Sequence, residues 1–156
     1  MPKLSIITIN LNNKQGLDKT LRSVFGQSYS DFEYIVIDGG STDGSVDIIR
    51  QNQDKIKSWV SEKDSGIYDA MNKGLRFATG RYCLFLNSGD YLCGGNTLSE
   101  VFKMNPVEDI VYGNMLIEEA EEGKRLGEMP DSITLEHMIK DTLRHPAEAG
   151  THQSLQ

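Results

Sequence analysis

Four short apolar runs constrain this chain more than anything else in it. They are "LSIITI" from Leu4, "FEYIVID" from Phe32 to Asp38, "IKSWVSE" from Ile56 to Glu62, and "RYCLFLN" from Arg81. Each is too short for a buried helix and rich in residues that suit a strand covered on both faces. Between them lie segments with helical spacing: Leu17, Leu21, Val24 and Phe25 in the first, "VDIIRQNQ" in the second, and Ile67, Ala70, Met71, Leu75 and Ala78 in the third, which Gly80 ends. Strand and helix alternating at this interval predict parallel βαβ units with right-handed crossovers, hence an open, mostly parallel α/β sheet flanked by helices.

Such a sheet binds ligands outside the carboxyl ends of its strands. Four polar loops are delivered there: Asn10 and Asn12 after the first strand, Asp38 to Asp43 after the second, Glu62 to Asp64 after the third, and Ser88 to Asp90 after the fourth. Ser41 or Thr42 is expected to cap the second helix. Beyond Asp90, "NTLSEVFKM" reads as a helix, "DIVYGNMLI" (109–117) as a strand, "EEAEEGKRLGE" as an exposed charged connection, and "SITLEHMIKDTL" as a helix.

Composition narrows the function classes. Of the 156 residues, 38% are hydrophobic and 25% charged, and the net charge is −7, which argues against a phosphate-neutralising nucleic-acid surface. No apolar run reaches the length of a bilayer span, and "MPKLSIITIN" is not a secretory leader. Cys83 and Cys93 are expected to be buried, reduced thiols of a cytoplasmic protein.

Several motifs fail on residue type. "NLNNKQG" is no dinucleotide fingerprint, and no Gly-rich loop ends in Lys-Ser or Lys-Thr. Read as a calcium loop, "DGGSTDGSVDII" places Asp43 where glycine is required and Ile49 where the bidentate glutamate belongs. Neither Ser65 nor Ser88 sits in a nucleophile elbow. His137 reads as a helix-face residue and His145 as a loop residue beside Pro146. His152, followed by Gln153, is the better metal candidate, because imidazole suits manganese as well as zinc.

Taken in order, "SIITINLNN", "SVFGQSYSDFEYIVIDGGSTDGS", "SEKDSGIYDAMNKGLRFATGRYCLFLNSGD" and the terminal "HQS" resemble the family-2 glycosyltransferases, and more narrowly their bacterial polysaccharide-synthesis branch. The resemblance runs over nearly the whole chain and is densest from Leu4 to Leu92. It implies a GT-A fold in one domain, with 1–92 as the nucleotide-sugar-binding half and 93–156 as a partial acceptor-side half of a longer protein.

The implied activity is metal-dependent, inverting transfer of a sugar from a nucleotide-diphosphate donor, UDP first, with GDP and dTDP open, to a glycan or lipid-linked acceptor. Thr8 and Asn10 would line the nucleotide pocket, with Asp38 and Asp64 toward the base or ribose. Ser88 would stand beside the diphosphate. Asp90 would hold Mg²⁺ or Mn²⁺, with His152 completing the metal site. One carboxylate suffices for such an ion, because phosphates and water supply its remaining ligands.

Many relatives carry paired acids where this chain has Asp38-Gly39 and Gly89-Asp90. No catalytic base is assigned: Asp109, Glu118 and Glu119 follow the metal turn, and nothing singles one out. The implied partners are the donor and the acceptor, without nucleic acid, with peripheral association at the cytoplasmic membrane face and a homodimer as further expectations. A non-catalytic sugar-nucleotide-binding remnant and a nucleotidyltransferase stand as alternatives. The second of these would want a basic, Gly-rich signature after the first strand.

Overall fold

The computed structural model describes residues 1–111, 113, 115–119 and 123–127. The chain divides into two compact units, Met1–Val107 and Glu108–Gln156. The first carries β1 (Leu4–Asn10), α1 (Lys14–Phe25), β2 (Phe32–Asp38), α2 (Ser45–Gln51), β3 (Ser58–Ser61), α3 (Ile67–Phe77), β4 (Tyr82–Phe85) and α4 (Thr97–Lys103). Its sheet has the order β3-β2-β1-β4 and every pairing is parallel. That is the α/β architecture expected from the alternating runs.

Alternation along the strands sorts the core into two layers. Leu4, Ile6, Tyr34 and Val36 pack with Leu17, Leu21, Val24 and Ile49 of α1 and α2. Ile7, Ile9, Ile35 and Ile37 pack with Ala70 of α3 on the other face. Both central strands are thus buried on both sides, which is why they read as near-continuous apolar runs.

α1 begins at Asn13, whose side chain accepts the Gly16 amide (3.1 Å), and ends at Gly26. α3 lies close against β1. A Cβ on Gly74 would stand 2.5 Å from Cγ2 of the fully buried Ile7, so only glycine allows the approach. At the opposite end of the sheet from the polar loops, buried Glu33 accepts from the Ser5 hydroxyl (2.6 Å), the Thr79 amide and the Thr79 hydroxyl (2.9 Å). Burial raises the Glu33 pKa, but these hydrogen bonds outweigh it and hold the carboxyl below its usual range.

Several details differ from the sequence expectations. The fully buried positions of α3 are Ala70 and Gly74, with Met71 and Ala78 packed against the same core layer as expected, whereas Ile67 and Leu75 are 49% and 44% exposed. The close approach at Gly74 leaves no room for large side chains there. α2 is capped by neither Ser41 nor Thr42. Asp43 accepts from the Ser45 amide (3.0 Å) and hydroxyl (2.6 Å), while Ser41 turns to Asp38. Cys83 and Cys93 are free, as expected, but exposed, because β4 is an edge strand and Cys93 lies in the loop beyond it.

The second unit contains an antiparallel pair, β5 (Met115–Glu119) and β6 (Gly123–Gly127), in which Leu116 stands opposite Leu126. The expected strand over 109–117 therefore starts later, and part of the expected charged connection is itself a strand. The expected helix "SITLEHMIKDTL", with His137, lies outside the described residues, as do His145 and His152. Among the described residues no helix is long and apolar enough to cross a membrane.

Candidate functional site

The register of β1 and β2 sets Asn10 beside Asp38 at the carboxyl end of the sheet. Both are buried, and Asn10 Nδ2 donates to Asp38 Oδ1 at 2.7 Å. On the other side of β1, the Ser88 hydroxyl donates to Asn10 Oδ1 at 2.8 Å. Three strand ends are thereby joined by one chain of hydrogen bonds, Asp38–Asn10–Ser88.

Asp38 is the centre of this floor. Oδ1 also accepts from the Ser41 hydroxyl, and Oδ2 accepts from the Ser41 amide (2.9 Å), the Gly40 amide (3.2 Å) and the Ser61 hydroxyl (2.6 Å). Burial raises the Asp38 pKa, but the bonds from Ser41, Ser61 and Asn10 together prevail and hold the carboxyl ionised below its ordinary range. With both oxygens supplied with donors, Asp38 organises the loops from β1, β2 and β3. Ser41 Oγ in turn accepts from the Asn12 amide (2.8 Å), and Asn12 Oδ1 from the Thr42 amide (2.9 Å), so the loops after β1 and β2 are locked together.

The turn after β4 is held just as firmly. The Thr20 hydroxyl, in the middle of α1, donates to Asp90 O (2.7 Å) and accepts the Gly89 amide (3.0 Å), while Asn13 Nδ2 donates to Ser88 O (3.0 Å). Gly89 has φ +106°, a left-handed backbone that favours glycine, with only Asn13 Nδ2 near its missing Cβ at 3.5 Å. The Asp90 carboxylate is exposed and, among the described residues, makes no hydrogen bond or ion pair. A hard divalent cation needs such a free oxygen. No set of three or more His, Cys, Asp or Glu among the described residues forms a metal cage of its own, so one carboxylate plus ligand phosphates is the donor set on offer. Asn87 Oδ1, at the start of the turn, is a buried acceptor with no donor among the described residues.

Asp64 arrives from the loop after β3. Its Oδ1 accepts the Gly66 amide at 3.0 Å, and its Oδ2 lies 2.6 Å from where a Cβ on Gly39 would be. Thr8 is placed differently from the expected lining role. It is fully buried, and its hydroxyl is engaged with Tyr34 OH (2.8 Å) and Leu86 O (2.7 Å), so it braces the sheet beneath the site. Asn10, Asp38 and Ser88 are brought together, with Asp64 and Asp90 on loops of the same sheet edge. Thr20, Asn13, Ser41 and Ser61 were not legible as site residues. Their signal is a hydroxyl or amide whose partners lie far along the chain.

Comparison with known proteins follows the same outline. The model of "Glycosyl transferase family 2" matches residues 5–145. Curated relatives align at 34–41% identity, and the chain spans 38–48% of their length. A Campylobacter jejuni relative, described as GalNAc(5)-diNAcBac-PP-undecaprenol beta-1,3-glucosyltransferase, is 34% identical over 76% of this chain and 40% of its own. Among solved structures, a Pyrobaculum calidifontis mannosyltransferase in complex with GDP-Man and Mn²⁺ superposes with a TM-score of 0.60 and 26% identity. It covers 65% of this chain and 32% of that one. S. aureus TarS in complex with UDP gives a TM-score of 0.57 and 30% identity over 63% and 30%.

Proposed function

Since the chain belongs to glycosyl transferase family 2 and has the GT-A fold, we propose that it forms the donor side of a glycosyltransferase that moves a sugar from a nucleotide diphosphate to a glycan or lipid-linked acceptor. The observation that carries this is the hydrogen-bonded Asp38–Asn10–Ser88 floor with the uncommitted Asp90 beside it. Asp38 and Asn10 are buried, so this floor would act by fixing the loops that receive a nucleoside, next to a turn able to share a cation with a diphosphate.

The chemistry asks for little more on this side. As the bond from sugar to phosphate breaks, negative charge grows on the departing diphosphate. A divalent ion held by Asp90, with His152 as the further candidate, would offset that charge. Glycine at 89 lets a phosphate come close to backbone. Asn10 and Ser88 would orient the donor, and Asp64 would face its base or ribose.

UDP is the first donor nucleotide of this proposal, with GDP and dTDP as its rivals. The named neighbours bind UDP and GDP-Man, the latter with Mn²⁺, which supports a metal-assisted diphosphate seat without choosing the base. Glycosyl rather than nucleotidyl transfer follows from the family. A cytoplasmic location, peripheral membrane association and a dimer belong to the same proposal.

Calorimetric titration with UDP, GDP and dTDP, with and without Mn²⁺, tests it. One diphosphate is expected to bind, and more tightly with metal. Asp90→Ala should remove the metal-dependent gain while the thermal midpoint stays put. Equal binding by the variant would return the turn to an ordinary surface loop.

A further inference from the structure

The loop carrying Asp64 is fastened to α3 on both sides of that residue. Lys73, one position before the glycine that seats α3 on β1, is only 18% exposed. Its ammonium lies 3.0 Å from Glu62 Oε1 and 3.3 Å from Asp69 Oδ2, and it donates to Lys63 O at 3.4 Å. Asp69 Oδ2 in turn accepts the Ser65 amide at 3.0 Å. The backbone is therefore tied at residue 63 by Lys73 and at residue 65 by a carboxylate that Lys73 also contacts. Between those ties, the Asp64 side chain is turned over Gly39 and pinned by the Gly66 amide.

We propose that Lys73 is a positioning residue which, through Glu62, Asp69 and the Lys63 carbonyl, fixes the loop so that the Asp64 carboxylate stands over Gly39 and faces the donor nucleotide. This rests on the donor-site reading above for the ligand, and on the geometry alone for the loop. Lys73 touches no part of the Asp38–Asn10–Ser88 floor; its reach ends at the loop. Its ammonium is well suited to the task. Its pKa is raised, first by the hydrogen bond to Glu62 and then by Asp69, so it is charged throughout the neutral range, where the carboxylates are ionised too. Seating α3 through Gly74 keeps the base of the lysine side chain fixed, so the three contacts bear on the loop rather than on the helix.

The test is a double-mutant cycle read by UDP affinity in Mn²⁺, with Lys73→Met to keep the aliphatic stem and Asp64→Asn to keep the acceptor for the Gly66 amide. Lys73→Met alone is expected to weaken binding roughly tenfold. In the Asp64→Asn background the same change should cost less than about twofold, because residues acting through one another are not additive. Lys73→Arg should keep most of the affinity. An undiminished loss in the Asp64→Asn background, or wild-type binding by Lys73→Met, would overturn the proposal.

If no nucleotide diphosphate binds the wild-type chain, the donor-site reading fails, and the loop is read directly. Faster amide hydrogen exchange over Glu62–Gly66 in Lys73→Met, at an unchanged thermal midpoint, would still support the positioning role. Unchanged exchange there would refute it.

Discussion

At the scale of single residues, the two buried carboxylates give the clearest expectations. Glu33 and Asp38 are both hydrogen-bonded in ways that hold them below the ordinary values of about 4 found in unfolded chains. Groups depressed by folding stabilise the native state above their unfolded pKa, and that stabilisation is lost as pH falls through the folded one. Glu33→Gln should therefore cost about 1–3 kcal/mol at neutral pH. The gap between variant and wild type, read by urea denaturation, should narrow below about pH 4 as the wild-type carboxyl itself takes up a proton. The thiols provide a second check. Cys83 and Cys93 are exposed, so both should react with a thiol reagent in the native protein. Cys83 should be the slower, its pKa raised by partial burial and then by nearby Glu33. From sequence, these cysteines read as core residues because cysteine usually is one. Asp38, Asn10 and Ser88 were legible because each follows an apolar run directly, so topology alone delivers them to one edge.

Elements were legible to the degree that their apolar pattern was continuous. β1 and β2 are buried on both faces and announce themselves. β6 carries Lys124 and Arg125 between glycines, so it looks like a solvated turn, and only its pairing with β5 makes it a strand. α3 was only partly legible: Ala70, Met71 and Ala78 pack inward as their spacing suggested, yet Ile67 and Leu75 are exposed and the closest approach is made at Gly74. That reading has a consequence for stability. Gly74→Ala should destabilise the fold by about 1–3 kcal/mol, because the new methyl meets buried Ile7 rather than open space. In an Ile7→Ala background, where that contact is gone, the added penalty should largely vanish in the same denaturation measurement. Gly66 makes a useful contrast. Nothing lies within 4 Å of its missing Cβ, but its φ of +113° with ψ of 174° is a backbone essentially reserved for glycine, so Gly66→Ala pays backbone strain alone, about 1–3 kcal/mol.

For the molecule as a whole, its charge and that of the proposed ligand are of the same sign. With a net charge of −7, the chain would bind a nucleotide diphosphate against its own field. Metal-free affinity for UDP should therefore improve as salt is raised, and the benefit of Mn²⁺ should be greatest at low ionic strength; calorimetry across a salt series checks both. The site is also assembled from loops that are far apart in sequence, which is why its supporting hydroxyls could not be foreseen while its strand ends could. Gly39 and Asp64 show what such assembly imposes over evolutionary time. The carboxylate of one fills the space in which a side chain on the other would begin. A mutation that gives residue 39 a side chain obliges the Asp64 carboxylate to give way, and is accommodated more easily once residue 64 has been shortened. Substitutions at these two positions are thus coupled, because a Cβ at residue 39 would begin 2.6 Å from Asp64 Oδ2 on a loop that follows a different strand.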